Sequence, residues 1–326
     1  MHRWSATAPQ AVGSSGNSGS TAYDIPYQPI FDGNTRSTVS TGRWGSFEQE
    51  SLPRSLAPLF RYPGGKRAEI KHYAPFIPQR GEFDLYVEPF VGGGATYFHL
   101  NHPGANVIAD ANPLVINFYE QVQAGRGPLL ASLVERYPNT EANYLYIRDA
   151  LVAGGQPLLE AFRFYYLRQT CFRGIDQYDR WRRFNTGWNR TANGRVPSCS
   201  RLLDPSYASL LGRSQVRLAS FEDTMAEHCD SPEAFLFLDP PYMGFDHYPG
   251  ARVHGHEEQF GRREHEILFD LFEESRARCL LIVADSPLMR ELYRGYVRAA
   301  YAKNYNMKRN QQVACSTHLI ITNYAV

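Results

Sequence analysis

The chain has 326 residues, 43% of them hydrophobic, and a formal net charge of +1. That length holds one large or two modest domains, and the near-neutral balance means that any nucleic-acid signal has to be local. Cys171, Cys199, Cys229, Cys279 and Cys315 are scattered without a C-x-x-C pair, which reads as reduced thiols in a cytosolic protein. No long apolar span and no hydrophobic signal core stand out, so neither a membrane span nor secretion is expected.

Residues 1–50 are rich in Ser, Gly, Thr and Asn without periodicity, and predict a flexible N-terminal extension. The folded body begins near Leu59. Phe60-Arg61-Tyr62-Pro63-Gly64-Gly65-Lys66 reads as a tight turn, with a helix from Arg67. Asp84 to Glu88 reads as a strand running into Gly92-Gly93-Gly94, followed by a helix over 95–100. Ala105 to Asp110 is a second strand, and a helix over 113–123 follows. Strand, glycine turn, helix, strand and acid open a doubly wound α/β fold.

The rhythm changes over 127–203. Helices are predicted over 128–136, 140–153 and 157–170, then a loop-rich stretch from Cys171 to Arg201. The α/β pattern resumes with strands over 216–220 and 235–239 and a helix over 262–276. Strands over 279–284, 297–301 and 318–323 close the sheet, with part of a helix at 289–293. The expectation is a sheet domain over 51–126 and 204–326, interrupted by a mostly helical insertion over 127–203.

Phe235-Leu236-Phe237-Leu238 is a buried-strand pattern that ends in Asp239-Pro240-Pro241-Tyr242. Two prolines cannot continue a ladder, so a carboxylate, a free carbonyl and an aromatic ring stand at a strand's C-terminal edge. Ligands of open α/β sheets bind at that edge. Gly92 to Gly94 allow close approach to the backbone, as in a plain turn or a nucleoside site; the spacing is not G-x-G-x-x-G. Asp110, 18 residues after Gly92, suits ribose hydroxyls. Lys66 suits a phosphate or a carboxylate, and Arg67 after it breaks the Walker pattern. His254, His256, Glu257 and Glu258 lack a further ligand pair and read as a polar loop, so no metal site is expected.

Between Ala161 and Arg201 stand nine arginines and two acids, a local excess of +7, interleaved with aromatic residues. Arginines hold phosphates and read guanine edges, and aromatic rings stack on bases. This window therefore predicts nucleic-acid contact.

Taken together, Phe60 to Lys66, Glu88 to Gly94, Asp110-Ala111-Asn112, Asp239 to Tyr242 and Ile321-Thr322-Asn323-Tyr324 resemble the successive motifs of Dam-like DNA adenine-N6 methyltransferases. Gln169 to Gly174, Phe184 to Gly187 and the pair Glu264-His265 add to the likeness, which covers about residues 58–326. The group commonly has Asn where this chain has Arg173, and often a proline near Gly187, so a target sequence does not carry over.

The resemblance implies a Rossmann-like class I methyltransferase sheet with an inserted target-recognition domain. It implies S-adenosylmethionine as methyl donor and double-stranded DNA as substrate, without metal. Tyr62, Lys66, Phe90, Gly92, Asp110, Phe221, Glu222 and Asp239 are then expected around the donor. Asp239, Pro240 and Tyr242 are expected to act on a flipped adenine. Arg173, Tyr178, Arg180, Arg182, Arg183, Asn185, Asn189 and Arg190 are expected on DNA. A bacterial or phage-encoded cytoplasmic protein, monomeric or weakly dimeric, beside a cognate restriction system, completes the expectation. Cytosine-N4 or RNA methylation, or an inactive DNA-binding relative, are the alternatives.

Overall fold

The computed structural model describes residues 54–150, 155–174, 177, 183–242, 260–309 and 312–326. All of them belong to the unit Ser51–Val326. Its centre is a seven-stranded sheet: β1 Leu85–Glu88, β2 Ala105–Asp110, β3 Ser214–Leu218, β4 Ala234–Leu238, β5 Arg278–Ala284, β6 Val297–Arg309 and β7 Gln312–Thr322. The strand order is 3-2-1-4-5-7-6. The first five are parallel, and β7 inserts antiparallel between β5 and β6.

β4 is buried along its whole length. Because side chains alternate across a strand, Phe235 and Phe237 enter one core and Ala234, Leu236 and Leu238 the other. A strand covered on both faces has no polar side, which is why its sequence is an unbroken apolar run. Helices Pro113–Gln123, Pro157–Thr170 and Pro205–Gly212 cover the first face through Phe118, Tyr165 and Leu210. Helices Phe221–His228 and Arg262–Glu273 cover the second through Met225, Leu268 and Phe272.

The segment 127–203 is mostly helical up to Thr170 and shares its core with the sheet. The rings of Phe118 and Tyr165 stack at 5.5 Å and 5°, joining helix Pro113–Gln123 to helix Pro157–Thr170. Within the predicted helix 140–153, Glu141–Leu145 is α-helical and Tyr146–Ala150 is a single π turn. After Thr170 the chain makes a 3-10 turn, Phe172–Gly174, tied by a bridge between Cys171 and Trp188.

Two of the local boundaries that differ from expectation have a physical reason in the structure. The strand predicted over 216–220 is Ser214–Leu218, and a helix follows at once. The Ser220 hydroxyl accepts from the Asp223 amide at 3.0 Å, so the chain leaves the sheet to start helix Phe221–His228. The strand predicted over 297–301 continues to Arg309. Its backbone pairing with β7 persists after the apolar pattern ends.

Candidate active site

Strand order reverses between β1 and β4, and an open sheet binds its ligands in the crevice at that point. A cavity of about 900 Å³ lies there. Tyr62, Lys66, Phe90, Gly92 and Asp110 form part of its wall. Phe221, Glu222, Asp239, Pro240 and Tyr242 form another part. All ten residues expected at the donor and the reacting base therefore border one space. Each comes from the C-terminal end of a parallel strand, from the loop or helix start that follows one, or from the turn before helix Ile70–Tyr73.

Hydrogen bonds hold the glycine turn to its surroundings. The Gly92 amide donates to Asp110 Oδ2 at 2.8 Å, and the Gly92 carbonyl accepts from the Tyr119 hydroxyl at 2.9 Å. The Val91 amide donates to the Ala109 carbonyl at 2.9 Å. Gly92 has φ +42°, and a Cβ there would lie 2.9 Å from the Tyr62 ring. Glycine is thus required both by backbone angle and by the ring that lies against it.

Asp110 Oδ1 also accepts from the Asn112 amide at 2.8 Å, while Asn112 caps helix Pro113–Gln123. Burial pushes the Asp110 pKa up to about 6, against the two amide bonds that lower it. Phe90 and Phe221 stack at 5.3 Å and 24°. Phe260 meets them at 5.7 and 5.4 Å, forming an aromatic trio beside Glu222 and Glu264.

The reactive end is an ion pair. Lys66, 2% exposed, places Nζ 2.6 Å from Asp239 Oδ1 and donates to the Gly64 carbonyl at 3.1 Å. The ammonium lies 4.9 Å from the centre of the Tyr242 ring, whose hydroxyl donates to Asp239 Oδ1 at 3.3 Å. Beneath them Glu88 ends β1, accepting from the Tyr86 hydroxyl at 2.7 Å and the Tyr97 amide at 3.1 Å. Burial, with the Asp239 charge adding to it, pushes the Glu88 pKa to about 8.

Glu88 and Phe260 border the cavity but were not singled out from sequence. Glu88 had a signal, since it is an acid ending a buried strand beside a glycine turn. Phe260 had none, because only the fold carries it to Phe90.

Of the residues expected on DNA, Arg183, Asn185, Asn189 and Arg190 are not part of this wall. Arg183, Asn185 and Arg190 are exposed. The Asn189 side chain caps the 3-10 turn Arg190–Ala192, accepting from the Thr191 amide at 3.2 Å. Arg173 lies in the turn Phe172–Gly174. Tyr178, Arg180 and Arg182 fall outside the described residues, as do His254, His256, Glu257 and Glu258. Of the aromatic residues in this window, Phe162, Phe164, Tyr165, Tyr166 and Phe184 are core, whereas Phe172 is 46% exposed. Among the described residues no group of three His, Cys, Asp or Glu is arranged to hold a metal, and no helix is long and apolar enough to cross a membrane.

A 3-2-1-4-5-7-6 sheet with Asp-Pro-Pro-Tyr after β4 and a glycine turn after β1 defines a class I methyltransferase. Comparison with known families narrows this. The chain belongs to the D12 class of N6 adenine-specific DNA methyltransferases, whose family model matches residues 62–310. It is 30% identical over 275 residues to the Type II methyltransferase M.CviBI of Paramecium bursaria Chlorella virus NC1A, covering 82% of this chain and 100% of that one. It is 26% identical over 281 residues to the Type II methyltransferase M1.LlaDCHI of Lactococcus lactis subsp. cremoris, covering 83% and 96%. The DNA N-6-adenine-methyltransferase of Escherichia phage P1 is 27% identical over 243 residues, covering 72% of this chain and 31% of that longer protein.

Proposed function

We propose that this enzyme transfers a methyl group from S-adenosylmethionine to N6 of an adenine flipped out of a specific site in double-stranded DNA. The observation that carries it is the cavity in which Asp239-Pro240-Pro241-Tyr242 faces the glycine turn and Asp110. The residues present fit the donor. Phe90, Phe221 and Phe260 offer aromatic surface for a purine, Asp110 a half-buried acceptor for ribose hydroxyls, and Gly92 an open backbone. S-adenosylmethionine, when bound, supplies an electrophilic methyl group.

The protein's part is to present the nitrogen. A base inside a duplex has to be extruded, at a cost of roughly a few kcal/mol. Tyr242 gives the extruded ring a stacking face. The N6 lone pair is conjugated into the ring, so the amino group is a poor nucleophile. Asp239 accepts one N6 hydrogen bond, and the Pro240 carbonyl, which has no place in the ladder, accepts the other. Both acceptors pull the nitrogen towards tetrahedral geometry and free its lone pair. Lys66 balances the Asp239 charge. Its ammonium is bonded to Asp239 and to the Gly64 carbonyl, on the side of the cavity where Lys66 is expected at the donor.

Arg173, Tyr178, Arg180, Arg182, Arg183, Asn185, Asn189 and Arg190, within the recognition segment 127–203, are assigned to DNA on their charge and composition. The same reading takes the enzyme to act as a monomer or weak dimer in the cytoplasm of a bacterium or phage-infected cell, beside a cognate restriction system. The test is incubation of the purified chain with S-adenosylmethionine and duplex DNA, followed by nucleoside mass spectrometry. N6-methyladenine is expected. N4-methylcytosine, or unmodified DNA, overturns the reading.

A further inference from the structure

Behind the Asp-Pro-Pro-Tyr turn lies a buried polar cluster with no task in the chemistry above. Glu69, in the turn after Lys66, gathers three donors. Its Oε2 is 2.9 Å from His318 Nδ1 and accepts from the Tyr301 hydroxyl at 2.7 Å. Its Oε1 accepts from Lys303 Nζ at 2.5 Å. His318 comes from β7, while Tyr301 and Lys303 come from β6, so the closing hairpin of the sheet is joined to the turn that carries Lys66. Burial alone would raise the Glu69 pKa, but the His318 bond and the charges of Lys66 and Lys303 bring it down to about 2.

His318 is fully buried. Burial lowers its pKa while the Glu69 bond opposes that, and Nδ1 lies within hydrogen-bond distance of the Glu69 carboxylate. Its ring lies 5.0 Å from the Tyr242 ring at 74°. Among the described residues, the anchors of Tyr242 include its hydroxyl on Asp239, the Lys66 ammonium over its ring, and His318 against it. Of these only His318 is a ring whose own plane is fixed by a buried hydrogen bond. A carboxylate buried with charged partners contributes little net stability compared with apolar packing, but it holds its donors in one geometry.

We propose that His318, held by Glu69, is the positioning residue for Tyr242. It sets the plane in which that ring meets an extrahelical adenine. This inference rests on the reading of Tyr242 as the stacking face. A merely structural cluster would tie the hairpin to the turn without affecting the chemical step.

The experiment is a double-mutant cycle on the single-turnover methyl-transfer rate, using the full chain and unmethylated duplex DNA that contains its target sites. His318→Ala is expected to slow that rate by about 10²-fold, the scale of a small misplacement near reacting atoms. The dissociation constant for S-adenosylmethionine is expected to stay within about twofold of wild type, because the contacts described for His318 go to Glu69, Tyr301 and Tyr242, none of them expected at the donor. In a Tyr242→Ala background the His318→Ala change is expected to add nothing, since its effect passes through the lost ring. A wild-type rate in His318→Ala, or losses that multiply in the double variant, overturns the inference. If His318→Ala does not fold, His318→Gln keeps a donor towards Glu69 without the ring and takes its place in the cycle. A wild-type chain that leaves DNA unmethylated would sink the underlying reading. A wild-type chain that methylates DNA, with His318→Ala equal to it, removes only the present inference.

Discussion

Lys66 Nζ and Asp239 Oδ1 stand 2.6 Å apart although 173 residues separate them in sequence. Lys66 is almost fully buried, while the Asp239 side chain keeps 20% of its exposure towards the cavity. The pair therefore has a sealed cationic side and an open anionic side. A group entering the cavity meets the carboxylate, already charge-balanced from behind.

Replacing Asp239 with Asn keeps the shape but removes one acceptor and the counter-ion of a buried ammonium. Methyl transfer is expected to be lost and stability to fall by about 1–3 kcal/mol, less than for a fully buried pair because Asp239 is partly exposed. Lys66→Met is expected to recover part of that stability in the double variant, since no unpaired charge then remains. Denaturant melts of the three variants measure this; additive losses would contradict the pairing.

Glu88 gives a stability signature in pH. Its folded pKa lies near 8, above the ordinary 4.5, so the folded state holds a proton that the unfolded chain has released. That stabilisation is complete below about pH 4.5 and is lost as pH rises through 8. Glu88→Gln keeps a neutral side chain throughout. The variant is expected to show a flatter stability curve between those limits and to gain on wild type at pH 9. Parallel curves in urea titrations would rule this out.

Gly92→Ala places a methyl group against the Tyr62 ring on a backbone of positive φ. Relief requires moving the ring or the turn, at about 1–2 kcal/mol. Donor affinity by calorimetry is expected to fall by about tenfold. Unchanged affinity would mean that the turn does not touch the donor.

Arg183 and Arg190 are exposed arginines in the segment assigned to DNA. Replacing both with Ala is expected to weaken DNA binding and to reduce the slope of log K against log salt by up to about 2. A slope equal to that of wild type would remove them from the phosphate contacts.

Local chemistry was readable wherever it depended on neighbours in the chain. The five parallel strands, the proline stop after Asp239 and the glycine turn each follow from residues within a few positions. Helix Phe221–His228 went unread because its eight residues carry a weak apolar pattern. Its signal was the Ser220-x-x-Asp223 spacing, where the serine hydroxyl also donates to the Asp223 carboxylate at 2.8 Å. The arginine–aromatic window was only half legible, since several of its rings proved to be core.

By itself the sequence determined the sheet class, the motif order and the chemical identity of the groups at the strand ends. Hydrophobic period and turn residues encode those over short range. Only the tertiary structure decided which groups meet. Strand order brings β1 beside β4, so Glu88 lies below Asp239 and Lys66 pairs with it instead of standing free. The insertion of β7 between β5 and β6 brings His318 to Tyr242 and Tyr301 to Glu69, across 232 residues in the latter case. Those contacts depend on topology, and no spacing along the chain records them.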